Sequence, residues 1–242
     1  DAVIKRATAD GVAAMMVVGI TPESARDAAD IAQQHSGVYA SVGIHPHDAR
    51  HCSAAAIDSL RAIAAATPKV RAWGETGLDF NRMFSPKKDQ EQCLEQQIAA
   101  AAEMGLPLIF HERDSNGRFL EMLDSCLEDT QTGVVHCFSG NDSELRAYLD
   151  RGLYIGITGI LTVKSRGATL RDQVALIPDD RLVIETDAPY LTPAPERNRL
   201  KRNEPALVKS VFLKLAKVKQ CPPEKLAPLL WDNTCRLFGI SS

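Results

Sequence analysis

Three observations on the sequence predict an α/β protein whose strands form a parallel sheet. Short apolar runs alternate with longer amphipathic segments along all 242 residues, as βαβ units require. Many of the runs are apolar at both alternating positions, which is typical of strands covered on both faces. Five of the runs end in His, Glu or Asp. The seven predicted strands are one fewer than a (β/α)8 TIM barrel contains, and a doubly wound open sheet would show the same alternation.

The predicted strands are runs of four to seven residues. They lie at residues 13–19, 38–44, 70–74, 108–111, 133–138, 154–158 and 182–186. The predicted helices lie at residues 1–10, 22–35, 53–66, 86–104, 115–128, 142–151, 170–176, 205–220 and 223–238. Thr21 before Pro22 and Ser85 before Pro86 are expected to cap helix N-termini, because a hydroxyl followed by a first-turn proline is typical of that position.

The sequence predicts one domain over residues 1–242, because it has no repeat, low-complexity tract or linker. Residues 192–205, which are dense in Pro, Arg and Asn, are expected to form a long loop. The deficit of one strand falls at the start of the chain, where Asp1 opens a helix-like segment. A barrel without its first strand would expose two unpaired edges, so we expect that strand within roughly 15–20 residues before Asp1.

Composition narrows the class of protein. The net charge of -3 gives no general attraction for polyanions, so nucleic-acid binding must depend on a local basic patch or a metal. No apolar run approaches the roughly 18 residues of a membrane span, and no membrane partner is expected. The six cysteines form no CxxC pair, which is typical of reduced thiols in a cytoplasmic enzyme.

Ionisable side chains stand at or just after the ends of five predicted strands, at His45, Glu75, His111, His136 and Asp187. In a parallel barrel these ends meet at one rim, whereas an open sheet would spread them along a line. Imidazole and carboxylate ligands suit Mg, Mn, Zn or Co. A metal at such a rim activates water and polarises a phosphoryl or acyl oxygen. The pattern therefore indicates a hydrolase.

Each of these residues also has a structural interpretation. A strand-end histidine is often only a hydrogen-bonded structural residue, Glu75 could cap a turn, and Asp187 could form an Asx-turn. Together they favour a metal site, because burying ionisable groups at the ends of five strands is costly without a ligand. Trp73 is expected in the core. Cys137 follows His136 on a predicted strand and is expected to point to the opposite side and pack outward.

Six ordered motifs, which run through nearly the whole chain, resemble the TatD family of metal-dependent deoxyribonucleases. They are Gly43-Ile44-His45-Pro46-His47, Gly74-Glu75-Thr76-Gly77-Leu78-Asp79-Phe80, Phe110-His111-Glu112-Arg113-Asp114, His136-Cys137-Phe138-Ser139-Gly140, Glu185-Thr186-Asp187-Ala188-Pro189-Tyr190-Leu191 and Arg202-Asn203-Glu204-Pro205. The resemblance implies a TIM barrel of the metal-dependent hydrolase type. It also implies hydrolysis of phosphodiester bonds, as a 3'-5' exonuclease on single-stranded DNA or RNA.

The resemblance assigns Glu75, His111 and His136 as ligands of one divalent cation, with Asp187 as a ligand or general base. Mg²⁺ is the expected ion, Mn²⁺, Zn²⁺ and Co²⁺ are alternatives, and a second ion is left open. His45 would contact the phosphate or leaving group. The candidate substrate-binding residues are His47, Arg113, Arg166 and Arg202, with Arg197, Arg199 and Lys201 in the same late loop. The cations would contact phosphates, but those of the late loop could equally form a solvated surface.

Two other functions compete with this prediction. A related hydrolase could use the same metal to cleave another ester, such as the bond in D-aminoacyl-tRNA. Alternatively, the ligands could hold a structural ion in a protein without activity. Structural metal sites are normally closed by four protein ligands, which argues against that second alternative. No obligate protein partner is predicted.

Overall fold

The structure is a computed structural model that describes residues 1–241. In chain order the helices are α1 (Ala2–Ala9), α2 (Pro22–Gln34), α3 (Ala54–Ala66), α4 (Lys87–Met104), α5 (Arg118–Cys126), α6 (Asp142–Asp150), α7 (Ala168–Val174), α8 (Val208–Val218) and α9 (Pro223–Phe238). The strands are β1 (Met15–Val18), β2 (Val38–Val42), β3 (Val70–Asp79), β4 (Leu108–Arg113), β5 (Gly133–Val135), β6 (Tyr154–Ile157) and β7 (Leu182–Ile184). Short 3-10 helices lie at Pro46–His51, Gly159–Thr162, Asp179–Arg181, Glu196–Asn198 and Pro205–Leu207.

The chain divides into two compact units, and its prediction as a single domain stays a prediction. The first unit comprises Ala14–His136 with Leu237–Gly239. The second unit comprises Asp1–Ala13, Cys137–Arg236 and the residues from Ile240 onward. No helix within residues 1–241 has the length and apolar character needed to cross a membrane.

The first unit contains a sheet of parallel strands. β1, β2, β3, β4 and β5 pair in that order, each parallel to the next. Its core contains the fully buried Trp73, as the sequence predicts, together with Phe110 and Phe119, whose ring centroids are 5.3 Å apart. Burying side chains of this size stabilises a fold by about 1.5–3 kcal/mol each. α2 packs on β2 and α4 packs on β3, so helices cover the sheet at these strands.

The second unit contains the parallel pair of β6 and β7. The aromatic rings of Phe138 and Tyr148 pack in its core, 6.3 Å apart between centroids. α1 packs against the segment Pro205–Leu207. There Arg6 donates from Nε and Nη2 to the carboxylate of Glu204, at 2.9 and 2.5 Å. The sequence predicts α1 as a helix, and this bidentate ion pair links it to the rest of the second unit.

One predicted helix cap is confirmed and one is wrong. Thr21 and Ser24 form a capping box at α2, in which each side chain accepts from the other residue's backbone N–H. Ser85 does not cap α4, whose first turn starts after Pro86 without a side-chain cap. The Ser85 hydroxyl instead donates to the carbonyl of His47 at 2.8 Å and accepts from the Arg50 N–H at 3.0 Å. Ser85 therefore links the loop after β3 to the segment Pro46–His51.

The seven predicted strands are all present, but every C-terminal boundary differs, and the differences in β3, β5 and β7 affect site residues. β3 does not end at Gly74, because it continues to pair with β4 as far as Asp79 opposite Arg113. β5 ends at Val135 and not at 138, and β7 ends at Ile184 and not at 186. Glu75 therefore lies within a long strand, whereas His136 and Asp187 lie in the loops that follow theirs.

Candidate active site

Glu75 sits at an irregularity in β3. The pairing with β4 shifts its register between Gly74 and Thr76, so Glu75 bulges from the ladder, and such bulges re-aim side chains beside active sites. Gly77 makes the close approach of the two strands feasible. Its φ is +152°, and a Cβ there would overlap the backbone carbonyl of His111. The Gly-Glu-Thr-Gly sequence thus brings Glu75 and His111 together.

In the first unit, three of the predicted histidines surround one carboxylate oxygen of a fourth predicted residue, Glu75. Oε1 of Glu75 lies 2.7 Å from Nδ1 of His111 and 3.5 Å from Nε2 of His45. It lies 4.0 Å from Nε2 of His136. The side chain of Glu75 is only 14 % exposed. The potential ligand atoms of His45, Glu75 and His111 all lie within 4.8 Å of one another.

These contacts shift the pKa values of Glu75 and His111. Burial raises the pKa of Glu75, but the charge of His136 and hydrogen bonds from His111 and His45 outweigh it, so the pKa falls well below its usual range. Burial lowers the pKa of His111, but the carboxylates of Asp79 and Glu75 outweigh it and raise that pKa to about 9. Without a metal, an ionised carboxylate and a protonated imidazole therefore face each other at neutral pH.

Asp79 is a site residue that the sequence analysis did not single out. Its buried carboxylate has Oδ2 at 2.7 Å from Nε2 of His47 and at 3.4 Å from Nε2 of His111. Its Oδ1 accepts hydrogen bonds from the backbone N–H groups of Asn81 and Arg82, at 3.0 and 2.8 Å. Burial raises the pKa of Asp79, but its bonds to His111, Arg82 and His47 lower it far more.

The signal for Asp79 was present in the sequence. Glu75, Gly77 and Asp79 alternate along β3, and alternate residues of a strand share a face. A strand that carries two carboxylates on one face, with a glycine between them, indicates a shared polar site. The interpretation of 70–74 as the whole strand concealed this relation.

His45 presents a proton donor to the site. Its Nδ1 accepts the backbone N–H of His47 at 3.1 Å, so in the neutral ring the proton resides on Nε2. That nitrogen faces Glu75. A ring in this tautomer donates a hydrogen bond and lacks the lone pair that a metal requires. The geometry therefore suits His45 to a phosphate contact better than to metal coordination.

His47 lies behind His45, with their ring centroids 4.2 Å apart. Its side chain is 30 % exposed, and it is the residue that contacts Asp79 at 2.7 Å. Burial and the neighbouring His45 and His111 lower the pKa of His47 more than Asp79 raises it. Asp79 thus holds the His47 ring in place, and part of that ring remains exposed to solvent.

Two buried glutamines of α4 hold the backbone beside the site. Nε2 of Gln97 donates to Thr76 Oγ1 at 2.7 Å and to the carbonyl of Ile44 at 2.9 Å. Oε1 of Gln97 accepts from the N–H of Ile44 at 2.7 Å. Gln90, two helical turns earlier, accepts from the N–H of Asp79 at 2.8 Å and donates to its carbonyl at 3.1 Å. The neighbours of His45 and Glu75, and Asp79 itself, are thereby fixed to one helix.

Asp187 lies in the second unit, in a loop held by Asn203. The side-chain amide of Asn203 donates to the carbonyls of Thr186 and Tyr190, both at 2.7 Å. Asp187 has a φ of +57°, and its carbonyl accepts from the N–H of Tyr190 at 2.8 Å. Asn203 is buried, so its amide bonds define the shape of this loop.

The expectation that Cys137 points outward on a strand is wrong. β5 ends at Val135, and Cys137 has a φ of +50°, so strand alternation does not set its direction. Its N–H donates to Glu185 Oε1 at 2.5 Å. Its thiol sulfur and a carboxylate oxygen of Asp187 lie within 4.8 Å of each other. Cys137 belongs with the polar residues of the second unit.

The predicted phosphate-binding cations are exposed side chains. Arg113 is the last residue of β4 in the first unit. Arg166 and Arg202 are exposed in the second unit, as are the other three cations of the late loop, Arg197, Arg199 and Lys201. Their part in substrate binding stays a prediction.

Comparison with known proteins identifies the family. A family model described as TatD related DNase matches residues 1–239. The chain belongs to this family. It is 42% identical over 243 residues to a protein of Rahnella sp. named 3'-5' ssDNA/RNA exonuclease TatD, covering 99% of this chain and 92% of the relative. A protein of the same name from Citrobacter rodentium is 40% identical, with coverage of 100% and 92%.

Solved structures of TatD proteins have the same fold. The TatD homologue YJJV of Escherichia coli has a TM-score of 0.89 at 28% identity, covering 99% of this chain and 92% of its own. A TatD-family hydrolase of Entamoeba histolytica has a TM-score of 0.85 at 24% identity, with coverage of 98% and 88%. The predicted α/β fold of TIM-barrel type and the predicted family are therefore confirmed.

The residues of this TatD-family site fit a divalent metal. Within residues 1–241, every ion pair of the Glu75 carboxylate is with a histidine, and none is with Lys or Arg. A buried carboxylate surrounded by imidazoles is the mixed N/O donor set that such ions prefer. The Nε2 of His111 faces Asp79 Oδ2 at 3.4 Å, without a hydrogen bond of good geometry, which leaves Nδ1 as the ring nitrogen on the side of Glu75.

Proposed function

We propose that this TatD-family protein is a metal-dependent 3'-5' exonuclease that hydrolyses the phosphodiester bonds of single-stranded DNA, and of RNA as a second substrate. The observation that carries the proposal is the set of imidazoles around the buried carboxylate of Glu75, at distances of 2.7 to 4.0 Å. The relatives at about 40% identity bear the name of this activity. A single divalent cation, bound by these imidazole and carboxylate groups, is the simplest occupant of the site at neutral pH.

Glu75, His111 and His136 would hold that ion, with Mg²⁺ as the proposed native metal and Mn²⁺, Zn²⁺ or Co²⁺ as substitutes. His111 would bind through Nδ1 and His136 through Nε2, because these nitrogens face the Glu75 carboxylate. A bound divalent cation supplies polarisation of a phosphoryl oxygen and a lowered pKa of water. A second ion is not needed by the donors assembled in the first unit.

The protein's own groups then have distinct tasks. His45, whose Nε2 carries the proton, would donate a hydrogen bond to a phosphate oxygen or to the leaving oxygen. Asp187 would complete the metal site or accept the proton of the attacking water, a role that rests on the family resemblance. His47, Arg113, Arg166 and Arg202 would contact the nucleic-acid backbone. Because such contacts do not read bases, little sequence specificity is expected.

The test uses a single-stranded oligonucleotide labelled at either end. With the 5' label, we expect a ladder of products that shorten from the 3' end, and with the 3' label, immediate release of a labelled mononucleotide. A chelator should abolish both signals, and Mg²⁺ should restore them. A 3'-terminal phosphorothioate should block the ladder.

Two outcomes would contradict the proposal. Release of D-amino acid from D-aminoacyl-tRNA without turnover of single-stranded DNA would identify an esterase with another substrate. Stoichiometric metal binding without hydrolysis of any DNA, RNA or aminoacyl ester would identify a structural metal site.

A further inference from the structure

The loop that follows β3 exposes two consecutive large apolar side chains. Met83 is 41% exposed and Phe84 is 52% exposed. An isolated exposed apolar residue needs no explanation, so the position of this pair is what matters. The ring of Phe84 packs on the ring of His47, with centroids 4.7 Å apart and planes at 83°. His47 in turn contacts His45 and Asp79 of the candidate active site.

The Phe84 loop, defined as residues 80–85, is fixed on both sides of the exposed ring. On the N-terminal side, the Asp79 carboxylate accepts the N–H groups of Asn81 and Arg82. The Asn81 amide also donates to Asp114 at 2.6 Å. On the C-terminal side, the buried Ser85 donates to the carbonyl of His47. A ligand that covers Phe84 would therefore meet a surface that is already ordered, which lowers the entropic cost of binding.

Three cations lie within four residues of Phe84 in the sequence. Arg82, Lys87 and Lys88 are all exposed. Nζ of Lys87 lies 4.4 Å from the ring centroid of Phe80, at the start of the same loop. Sites for single-stranded nucleic acid combine cations that follow the phosphates with aromatic rings on which bases stack. The chain as a whole carries a net charge of -3, so contacts with phosphates would depend on individual cations such as these.

We propose that Phe84 is a stacking platform for a nucleobase of the single-stranded substrate, and that Arg82, Lys87 and Lys88 contact the phosphates beside that base. Phe84 packs on His47, and His47 packs on His45. Nε2 of His45 lies 3.5 Å from Oε1 of Glu75, so the platform adjoins the candidate active site. Stacking tolerates any base, because every base offers a π face. The inference rests on the proposed nuclease function and deepens it by assigning a binding subsite.

The first experiment measures binding of the full chain to a fluorescein-labelled phosphorothioate oligothymidylate, which resists hydrolysis, in the presence of Mg²⁺. Phe84→Ala should weaken binding by about fivefold to a hundredfold, the range of one lost base–aromatic stack. Phe84→Trp keeps a stacking surface and should bind within about twofold of wild type. Leu213→Ala, at a residue of α8 that is 51% exposed, is the matched control and should bind as wild type does.

The second experiment separates stacking from other effects of the substitution. The same oligonucleotide is prepared with abasic sugars in place of the nucleotides, which keeps its phosphates. The loss of affinity caused by Phe84→Ala should be at least about fivefold larger on the intact strand than on the abasic strand. Unchanged binding by Phe84→Ala, an equal loss on both strands, or failure of Phe84→Trp to retain binding would overturn the proposal.

Failure of the proposed function gives a different result. If wild-type protein releases no nucleotide from a 3'-labelled strand, the nuclease proposal fails whatever the binding data show. If wild type degrades DNA and Phe84→Ala binds and degrades it equally well, only the stacking platform fails. Circular dichroism and the Mn²⁺ affinity of each variant establish that the loop substitution has left the fold and the metal site intact.

Discussion

Asp79 and His111 lie on neighbouring parallel strands, with Oδ2 of Asp79 at 3.4 Å from Nε2 of His111. The other ring nitrogen of His111 lies 2.7 Å from Glu75. The imidazole therefore stands between two carboxylates, one on the proposed metal side and one behind it. A carboxylate behind a ligand histidine fixes its tautomer and raises its basicity. We infer that Asp79 orients His111 for metal binding.

Asp79→Asn should weaken Mn²⁺ binding by about 10- to 100-fold, the usual effect of removing such a partner. The cause is the loss of the negative charge that holds the His111 ring, with the side-chain volume preserved. Isothermal titration calorimetry measures the affinity. Asp58→Asn, at an exposed carboxylate paired with Arg61, is the control and should bind Mn²⁺ normally. Equal affinities for all three proteins would exclude a role for Asp79 in metal binding.

The raised pKa of His111 predicts a pH dependence of the metal-free protein. Its pKa of about 9 in the fold exceeds the unfolded value of about 6.5. The protonated ring therefore stabilises the fold fully below about pH 6.5, and this stabilisation is lost as the pH rises through 9, by about 3 kcal/mol. Urea unfolding with a chelator present, at intervals from pH 6 to 9.5, measures the change. His111→Gln should remove most of this pH dependence.

Metal binding should depend on pH in the opposite sense. An imidazole must lose its proton to become a ligand, so metal affinity should rise by about tenfold per pH unit from pH 7 and level off near pH 9. Titrations in buffers of different ionisation enthalpy should show release of about one proton per ion at pH 7. A pH-independent affinity with no proton release would show that His111 is not a ligand.

Gln97 connects the backbones beside two predicted site residues, and its loss should affect both stability and metal binding. Gln97→Met keeps the shape but leaves the N–H of Ile44, the indole N–H of Trp73 and other buried groups without partners. We expect a loss of about 2–5 kcal/mol in the free energy of unfolding. Metal affinity of the folded fraction should also fall. Gln96→Met, at the exposed neighbouring position, is the control and should change stability by less than about 0.5 kcal/mol.

The residues that the sequence predicted correctly as neighbours share a simple signal. His45, Glu75, His111 and His136 each interrupt or follow an apolar strand run, and the parallel strands of the first unit place them around one carboxylate. Alternation of strands and helices predicts this convergence without knowledge of any distance. The contacts of Asp187 in the metal site stay a prediction.

Asp79, Gln97 and Cys137 could not be assigned in the same way. The extension of β3 to Asp79 depends on pairing with β4 and on two glycines that permit close approach. Gln97 has the composition of a helix surface, and its burial depends on tertiary contacts with Ile44 and Thr76. The direction of Cys137 depends on a positive φ after the strand. The burial of Gln97 and the direction of Cys137 are properties of the packed backbone that local sequence patterns do not contain, and the alternation of Glu75, Gly77 and Asp79 is informative only once the length of β3 is known.

Gly77 and Gly105 offer a matched test of the close contact between β3 and β4. Both have a positive φ, but a Cβ at Gly77 would overlap the His111 carbonyl, whereas one at Gly105 would meet open space. Gly105→Ala should cost about 1–2 kcal/mol from its left-handed backbone alone. Gly77→Ala should cost at least about 3 kcal/mol and reduce Mn²⁺ affinity, because β4 must move. Chemical denaturation measures both, and equal losses would show that the strands have room to adjust.

The central claim is that Glu75, His111 and His136 hold the ion on which phosphodiester hydrolysis depends. It is tested most directly by His136→Ala, assayed for release of nucleotide from 3'-labelled single-stranded DNA at saturating Mg²⁺ or Mn²⁺. His51→Ala, at an exposed histidine outside the site, is the control. The account predicts a loss of activity of about a hundredfold or more in His136→Ala and wild-type activity in His51→Ala. Undiminished hydrolysis by His136→Ala at saturating metal would contradict it.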